Sequence, residues 1–244
     1  YKTKIIVTLG PSSFKKKNLN SFKKLRVFLY RINLSHTSIS QLKSRIKFLK
    51  KNKIKNICID TEGAQIRTKI KKKRFLKKNS SIKIFRKNNE FSLYPLEVFD
   101  KLKIGDKLDV GFGGLKVQIK QKNKSVLISK VLSEGMLEQN KGVHLINRPI
   151  KLNYVTEKDL KAIDISKKLK IKYFALSFTN SSNDVKNFNS LLKSENKIFK
   201  IETKMALKNL KKIISLGKFF LIDRGDLSKD ISIEKVPLAQ KQII

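Results

Sequence analysis

The strongest constraint on this chain is a rhythm. Short apolar runs each close on a polar or glycine cluster, and most are followed by a lysine-rich amphipathic stretch. Residues 5–9 close on Gly10-Pro11-Ser12-Ser13, residues 27–32 on Asn33-Leu34-Ser35-His36, and residues 56–59 on Asp60-Thr61-Glu62-Gly63. Residues 173–176 close on Ser177-Phe178, and the runs 197–203 and 219–227 complete a set of six. Apolar runs this short, bounded by turn residues, read as buried strands. Between them, residues 37–50 place Ile39, Leu42, Ile46 and Leu49 at helical spacing. Thr156-Glu157-Lys158-Asp159, ahead of Leu160 and Ile163, supplies an N-cap and an acidic first turn for a helix over 157–169. Strands separated by helices predict an α/β chain with a parallel sheet, either barrel or doubly wound.

The rhythm breaks between about residues 68 and 148. Short β-like runs at 81–85, 107–110, 115–119 and 125–128 are punctuated by Gly105, Gly111, Gly113 and Gly114, with no long amphipathic helix. This predicts a small all-β domain inserted between the third strand and its helix, and a division into 1–67, 68–148 and 149–244. The densest basic run, 71–78, reads as a solvated hinge or edge.

The formal charge of +38, from 57 Lys plus Arg against 19 Asp plus Glu, raises nucleic acid or an anionic surface as partner. The excess is overwhelmingly lysine and is spread along the whole chain, as in a coding sequence drifting toward A- and T-rich codons. That distribution argues against nucleic acid. The single cysteine, Cys58, lies in an apolar run and allows no disulfide within the chain, which suits a reducing cytoplasm. No apolar stretch reaches the length of a membrane span, and no signal peptide opens the sequence. The sequence starts without Met and stops inside an apparent helix over 237–244, the expectation for a fragment of a longer protein.

The chemistry gathers at the ends of the last two runs. The first delivers Lys200 and Glu202, the second Arg224, Gly225 and Asp226. Two carboxylates at neighbouring strand ends can share a hard divalent cation through oxygen ligands. A lysine one alternation from Glu202 can then face a phosphate held by that cation. An unpaired ammonium inside a strand is costly, so Lys200 reads as functional. Asp60 has a competing reading as a turn cap, and Arg31 as a structural ion-pair partner. Neither His36 nor His144 has a second ligand at metal-binding spacing.

Seven strand-end motifs, in order, resemble those of pyruvate kinase. They are Lys2-Thr-Lys-Ile-Ile-Val-Thr-Leu-Gly-Pro-Ser-Ser13, Arg31-Ile-Asn-Leu-Ser-His36, Asp60-Thr-Glu-Gly-Ala-Gln-Ile-Arg-Thr68, Lys141-Gly-Val-His-Leu145, Ser177-Phe178, Lys200-Ile-Glu202 and Arg224-Gly-Asp-Leu227. The resemblance implies an incomplete (β/α)8 TIM barrel of about six strands carrying a small inserted all-β lid. It implies transfer of a phosphoryl group from phosphoenolpyruvate to ADP, giving pyruvate and ATP, in a cytoplasmic homo-oligomer that uses Mg²⁺ and K⁺. Glu202 and Asp226 would hold Mg²⁺, and Asn33, Ser35, Asp60 and Thr61 would hold K⁺. Lys200 and Arg31 would act on the transferring phosphoryl, and Gly225 and Asp226 would take the substrate carboxylate. Asn33, His36, Arg67 and Lys141 would line the nucleotide.

Some positions depart from the family pattern. Val110-Gly-Phe-Gly-Gly114 stands where the lid carries an Asp-Asp-Gly turn, with Asp109 nearby; Ser228 replaces a glycine, Glu62 a basic or polar residue, and Thr179-Asn180 a place where arginine often lies. Asp223 replaces a small residue ahead of Arg224, where it either weakens binding of the cation-bound substrate or pairs with Arg224. These departures carry a second reading, a catalytically impaired relative that binds nucleotide or anions. A third reading, a polyanion binder, rests on charge alone.

Overall fold

The computed structural model describes residues 3–87, 90–111 and 113–244. Lys2, at the head of the opening motif, and Phe112, in the glycine-rich turn, lie outside them. The chain forms two compact units, one made by the chain up to Ala64 together with Asn153–Ile244, the other by Gln65–Leu152.

In the first unit the alternation of apolar runs and helices becomes one six-stranded sheet. Its strands are Ile6–Thr8, Leu29–Asn33, Ile57–Asp60, Tyr173–Leu176, Asn196–Ile201 and Phe219–Ile222, side by side in chain order. Every neighbouring pair is parallel. Helices occupy the connections, among them Ile39–Lys51, Glu157–Lys168 and Ser182–Leu191. Each of these three starts on a reciprocal capping box: Ser38 with Gln41, Thr156 with Asp159, and Ser181 with Asp184. The side-chain oxygen takes an otherwise orphan N–H and the third residue reaches back, so these short polar signatures fix where each helix begins.

Strand register sorts the side chains. Ile32, Ile59, Phe174, Phe199 and Ile201 join Leu42, Ile46, Leu49, Ile163, Val185 and Phe188 from the helices in the main core. The opposite face carries a smaller apolar layer of Leu29, Cys58, Ala175 and Ile198, flanked by Phe28, Tyr173 and Leu221. Because side chains alternate along a strand, the residues two further on, Arg31, Asp60, Ser177 and Lys200, form the next layer on that same face. Cys58 is fully buried, and burial pushes its thiol pKa well up, an inert packing residue.

Phe199 joins sheet to helix. It stacks edge-on to Phe188 and tilted to Phe220, both with ring centroids 6.1 Å away, and is 1% exposed. Phe199→Ala should destabilise the protein by about 3–5 kcal/mol, from lost transfer energy plus an unfilled cavity. Urea denaturation showing a change below about 1 kcal/mol would mean that the ring contributes little to the packing of sheet against helix.

In the second unit, seven strands close into a barrel in the order Val126–Ser133, Ser81–Phe85, Phe91–Tyr94, Ile66–Ile70, Gly142–Leu145, Lys107–Val110 and Leu115–Lys122. Along Leu115–Lys122, Leu115, Val117 and Ile119 point inward while Lys116 is exposed, and closure leaves no hydrogen-bonding edge in that sheet. The interior is filled by Ile84, Leu108, Leu127 and Val131 among others. The unit is not wholly β: Glu97–Lys101 is a short helix with Val98 and Phe99 buried. The basic run 71–78 contributes the strand Arg74–Leu76, which pairs with Gly135–Leu137, and most of the run is exposed.

Candidate active site

The polar layer of the first unit is a dense set of opposed charges. Lys200, 3% exposed, places its ammonium 2.8 Å from Glu202 Oε1, 3.4 Å from Asp60 Oδ2 and 3.4 Å from Asp223 Oδ2. It also donates to Ser177 Oγ at 3.2 Å, and that hydroxyl donates to Asp60 Oδ1 at 3.1 Å. Arg31 donates through Nε to Thr8 Oγ1 at 2.9 Å and brings Nη1 within 3.5 Å of Asp60 Oδ2. Burial would strip the proton from Lys200, but the charges of Glu202, Asp60 and Asp223 outweigh it and hold its pKa above the usual lysine value. The same burial pushes the Glu202 carboxyl upward against the pull of Lys200. For Asp223 burial acts upward too, but Lys200 and Arg31 prevail and its pKa is lowered.

Local backbone geometry aims these groups. Phe178 is a non-glycine residue at φ +52°, and its N–H donates to Glu202 Oε2 at 2.6 Å. Strain of this kind persists only where the surroundings over-determine it. Thr61 Oγ1 accepts from the Ser177 N–H at 3.0 Å, tying the third and fourth strand ends together. Gly63, at φ +67°, passes so close to Ser177 that a Cβ there would sit 2.4 Å from the Ser177 carbonyl oxygen. Asp159 accepts the N–H groups of Glu62, Gly63 and Thr156, and Lys158 pairs with Glu62 at 2.7 Å and donates to the Leu34 carbonyl. Glu62 is thus a pinned structural residue with Lys158 as its counter-charge.

Three acids remain poised for a cation. One oxygen each from Glu202, Asp223 and Asp226 lies within 4.8 Å of the other two. Glu202 Oε1 is buried and lies 2.8 Å from the Lys200 ammonium, so a hard divalent ion bound by these carboxylate oxygens would share Glu202 with Lys200.

The predicted residues therefore fall in three groups. Arg31, Asp60, Lys200, Glu202 and Asp226 stand on or beside this layer, with Gly225 in the first turn of the helix Arg224–Ile231. Asn33 pairs with Asp60 across neighbouring strands and accepts the Ser35 N–H at 2.8 Å, and Thr61 follows Asp60; His36 ends the same tight turn and is exposed. Arg67 and Lys141 belong to the second unit, where Arg67 pairs with Gly142 in register and the Lys141 carbonyl accepts the Thr68 N–H. Asp109 is also there, in register with His144. Sequence reasoning missed the parts played by Ser177 and Phe178, and it left Asp223 either weakening substrate binding or facing Arg224. Asp223 faces Lys200, because it lies two residues beyond Leu221, which is in register with Lys200. Counting by twos from that pair would have placed it on the polar face.

Comparison with known proteins agrees with the motifs. The family model described as "Pyruvate kinase, barrel domain" matches residues 1–244. The chain belongs to the pyruvate kinase family. It is 30% identical over 261 residues to a pyruvate kinase of Clostridium perfringens and 32% identical over 253 residues to one of Methanocaldococcus jannaschii. It is 29% identical to a pyruvate kinase of Staphylococcus epidermidis. All of this chain is covered in each case, against 55%, 54% and 45% of the relatives. The chain thus spans about half the length of the curated relatives it matches. The family is one of transferases, and among the described residues no helix is long and apolar enough to cross a membrane.

Proposed function

We propose that the protein containing this chain transfers a phosphoryl group from phosphoenolpyruvate to ADP, giving pyruvate and ATP. The observation that carries the reading is the meeting of Lys200, Glu202, Asp60 and Arg31 in one layer, with Asp226 beside it. In this reading the six-stranded sheet is part of a TIM barrel, split into 1–67 and 149–244, and 68–148 is its lid. The protein is a cytoplasmic homo-oligomer.

The reaction breaks the bond between phosphorus and the enol oxygen and forms one to a terminal oxygen of ADP. The enolate left behind then takes a proton to become pyruvate. Arg31 offers a planar fork of donors to the phosphoryl oxygens. Lys200 keeps a fixed positive charge beside the enol oxygen as negative charge develops there, and it needs no reorganisation because its partners already hold it. Glu202 and Asp226 are the ligands for Mg²⁺, which when bound neutralises the clustered phosphate charge. Asn33, Ser35, Asp60 and Thr61 are oxygen donors suited to K⁺. The N–H groups of Gly225 and Asp226, at a helix start, receive the substrate carboxylate. His36 and Asn33, at the end of the second strand, serve the nucleotide.

A second reading, an impaired relative that binds without turnover, is favoured by Asp223: its carboxylate already engages the Lys200 ammonium that the phosphoryl would need. A coupled assay of pyruvate formation by the full protein decides between them. Mg²⁺-dependent turnover supports the first; calorimetric binding of Mg²⁺-nucleotide with no turnover supports the second.

A further inference from the structure

We infer that Asp223 is an internal occupant of the anion site, a carboxylate that the substrate must displace from Lys200 in order to bind. The inference rests on the reading in which Lys200 meets the phosphoryl and enol oxygens and the start of the helix Arg224–Ile231 receives the substrate carboxylate. Among the described residues, four side chains bring an oxygen to the Lys200 ammonium. Glu202 stands at 2.8 Å, Ser177 at 3.2 Å, and Asp60 and Asp223 both at 3.4 Å. An ammonium has three N–H donors, so these oxygens already exceed what it can satisfy, and a ligand must replace one of them. Three are sealed: the side chains of Asp60 and Glu202 expose nothing, and Ser177 is 3% exposed. Asp223 keeps 27% of its side chain open to solvent, so it is the partner that a solute can replace.

The other end of the same carboxylate points to the same role. Asp223 is the N-cap residue of Arg224–Ile231, and a Cβ built on Gly225 would stand 3.5 Å from its Oδ1. One oxygen therefore lies on the ammonium and the other over the first helical turn. Those are the two places that the proposed function gives to the phosphoryl and carboxylate ends of the substrate, so Asp223 bridges them as a short anion of its own. Strand register holds it there, because it follows by two residues Leu221, which pairs with Lys200. When Asp223 swings away, Lys200 keeps Glu202 and Asp60 as counter-charges. A site that is competent only part of the time binds correspondingly more weakly, so Asp223 sets the affinity for substrate without entering the reaction. Ground state and transition state both require it displaced, so its effect falls on KM and spares kcat.

The test measures KM for phosphoenolpyruvate and kcat in the full protein, with calorimetric titration of phosphoenolpyruvate beside them. The proteins are the parent, Asp223→Ala, Asp223→Asn and Asp230→Asn, with circular dichroism to confirm folding. Asp223→Ala vacates the site, so KM should fall at least about tenfold, the scale of one hydrogen bond to a charged group. Affinity by calorimetry should rise by the same factor, and kcat should stay at the parental value. Asp223→Asn keeps an acceptor oxygen but loses the charge, so it should fall between, and it carries the test if the alanine variant does not fold. Asp230 lies on the same helix with its carboxylate on the Lys204 N–H, so Asp230→Asn removes equal charge without opening the site and should change neither constant. Unchanged or weaker affinity in the Asp223 variants, or an equal gain in Asp230→Asn, overturns the inference. A lower kcat at unchanged KM also overturns it, because Asp223 would then belong to the chemical step. Turnover by parent and Asp223→Ala with equal KM leaves the proposed function standing while this inference fails. If the parent binds without turnover, a rise in calorimetric affinity in Asp223→Ala still supports the inference, under the second reading. No binding of phosphoenolpyruvate by any of the four proteins sinks both.

Discussion

Lys200→Met should cost the full protein both turnover and stability. The ammonium is nearly sealed from solvent, and Asp60, Glu202 and Asp223 all converge on it. Methionine fills the same volume but removes the charge that meets all three acids. A fixed charge aimed at a developing oxyanion is commonly worth about 10²–10³ in kcat, and a loss of at least that size is expected in the coupled assay. The stability effect has the same origin: stripping one partner from a buried ion cluster typically costs about 3–5 kcal/mol, because the remaining charges stay buried without compensation. Mg²⁺ should then stabilise the variant more than the parent, since the ion replaces the missing positive charge among the carboxylates. Melting curves with and without Mg²⁺ measure this directly. A variant with parental turnover would remove Lys200 from the chemistry.

Gly63→Ala should be nearly as damaging, for a reason of backbone geometry. At φ +67° an alanine pays a left-handed penalty of about 1–2 kcal/mol. Its Cβ would also stand 2.4 Å from the Ser177 carbonyl oxygen and 2.9 Å from the Ser177 carbonyl carbon, atoms that cannot swing aside like a flexible side chain. Relieving that clash must shift Ser177, whose hydroxyl bridges Lys200 and Asp60. A total of roughly 3–5 kcal/mol is expected once overpacking is added, with a fall in turnover beside it. Gly105 is the control: it too has positive φ, at +90°, but nothing lies within 4 Å of a built Cβ. Gly105→Ala should therefore lose only the backbone penalty and leave activity unaltered. Equal destabilisation of the two variants in urea would show that the approach to Ser177 carries no energy.

Much of the first unit was legible in the chain because its local signals agree. The strand Tyr173–Leu176 lies where the apolar run stands, and Thr156 caps Glu157–Lys168 through the hydroxyl that the T-x-x-D pattern advertises. In the inserted region, Ser81–Phe85 and Lys107–Val110 follow the β-like runs closely. The short helix Glu97–Lys101 went unread, since five residues are too few to show a helical period. At the site, Lys200 and Glu202 stand out as charged residues in an apolar strand. Ser177 does not, because a serine after a strand is ordinarily a turn residue.

What the sequence determined alone was the order of elements, their caps, and the set of charged residues placed at strand ends, because propensity, capping and apolar periodicity act over a few residues. Which of those charges meet was settled only by tertiary structure. Lys200 and Asp60 are 140 positions apart and become ion-pair partners through the parallel register of three adjacent strands. Asp223 is turned from Arg224, its neighbour in the chain, to Lys200 on the next strand by the alternation of side chains across the sheet. Pairing between strands is a long-range choice made by burying whole faces, so no local pattern could announce it.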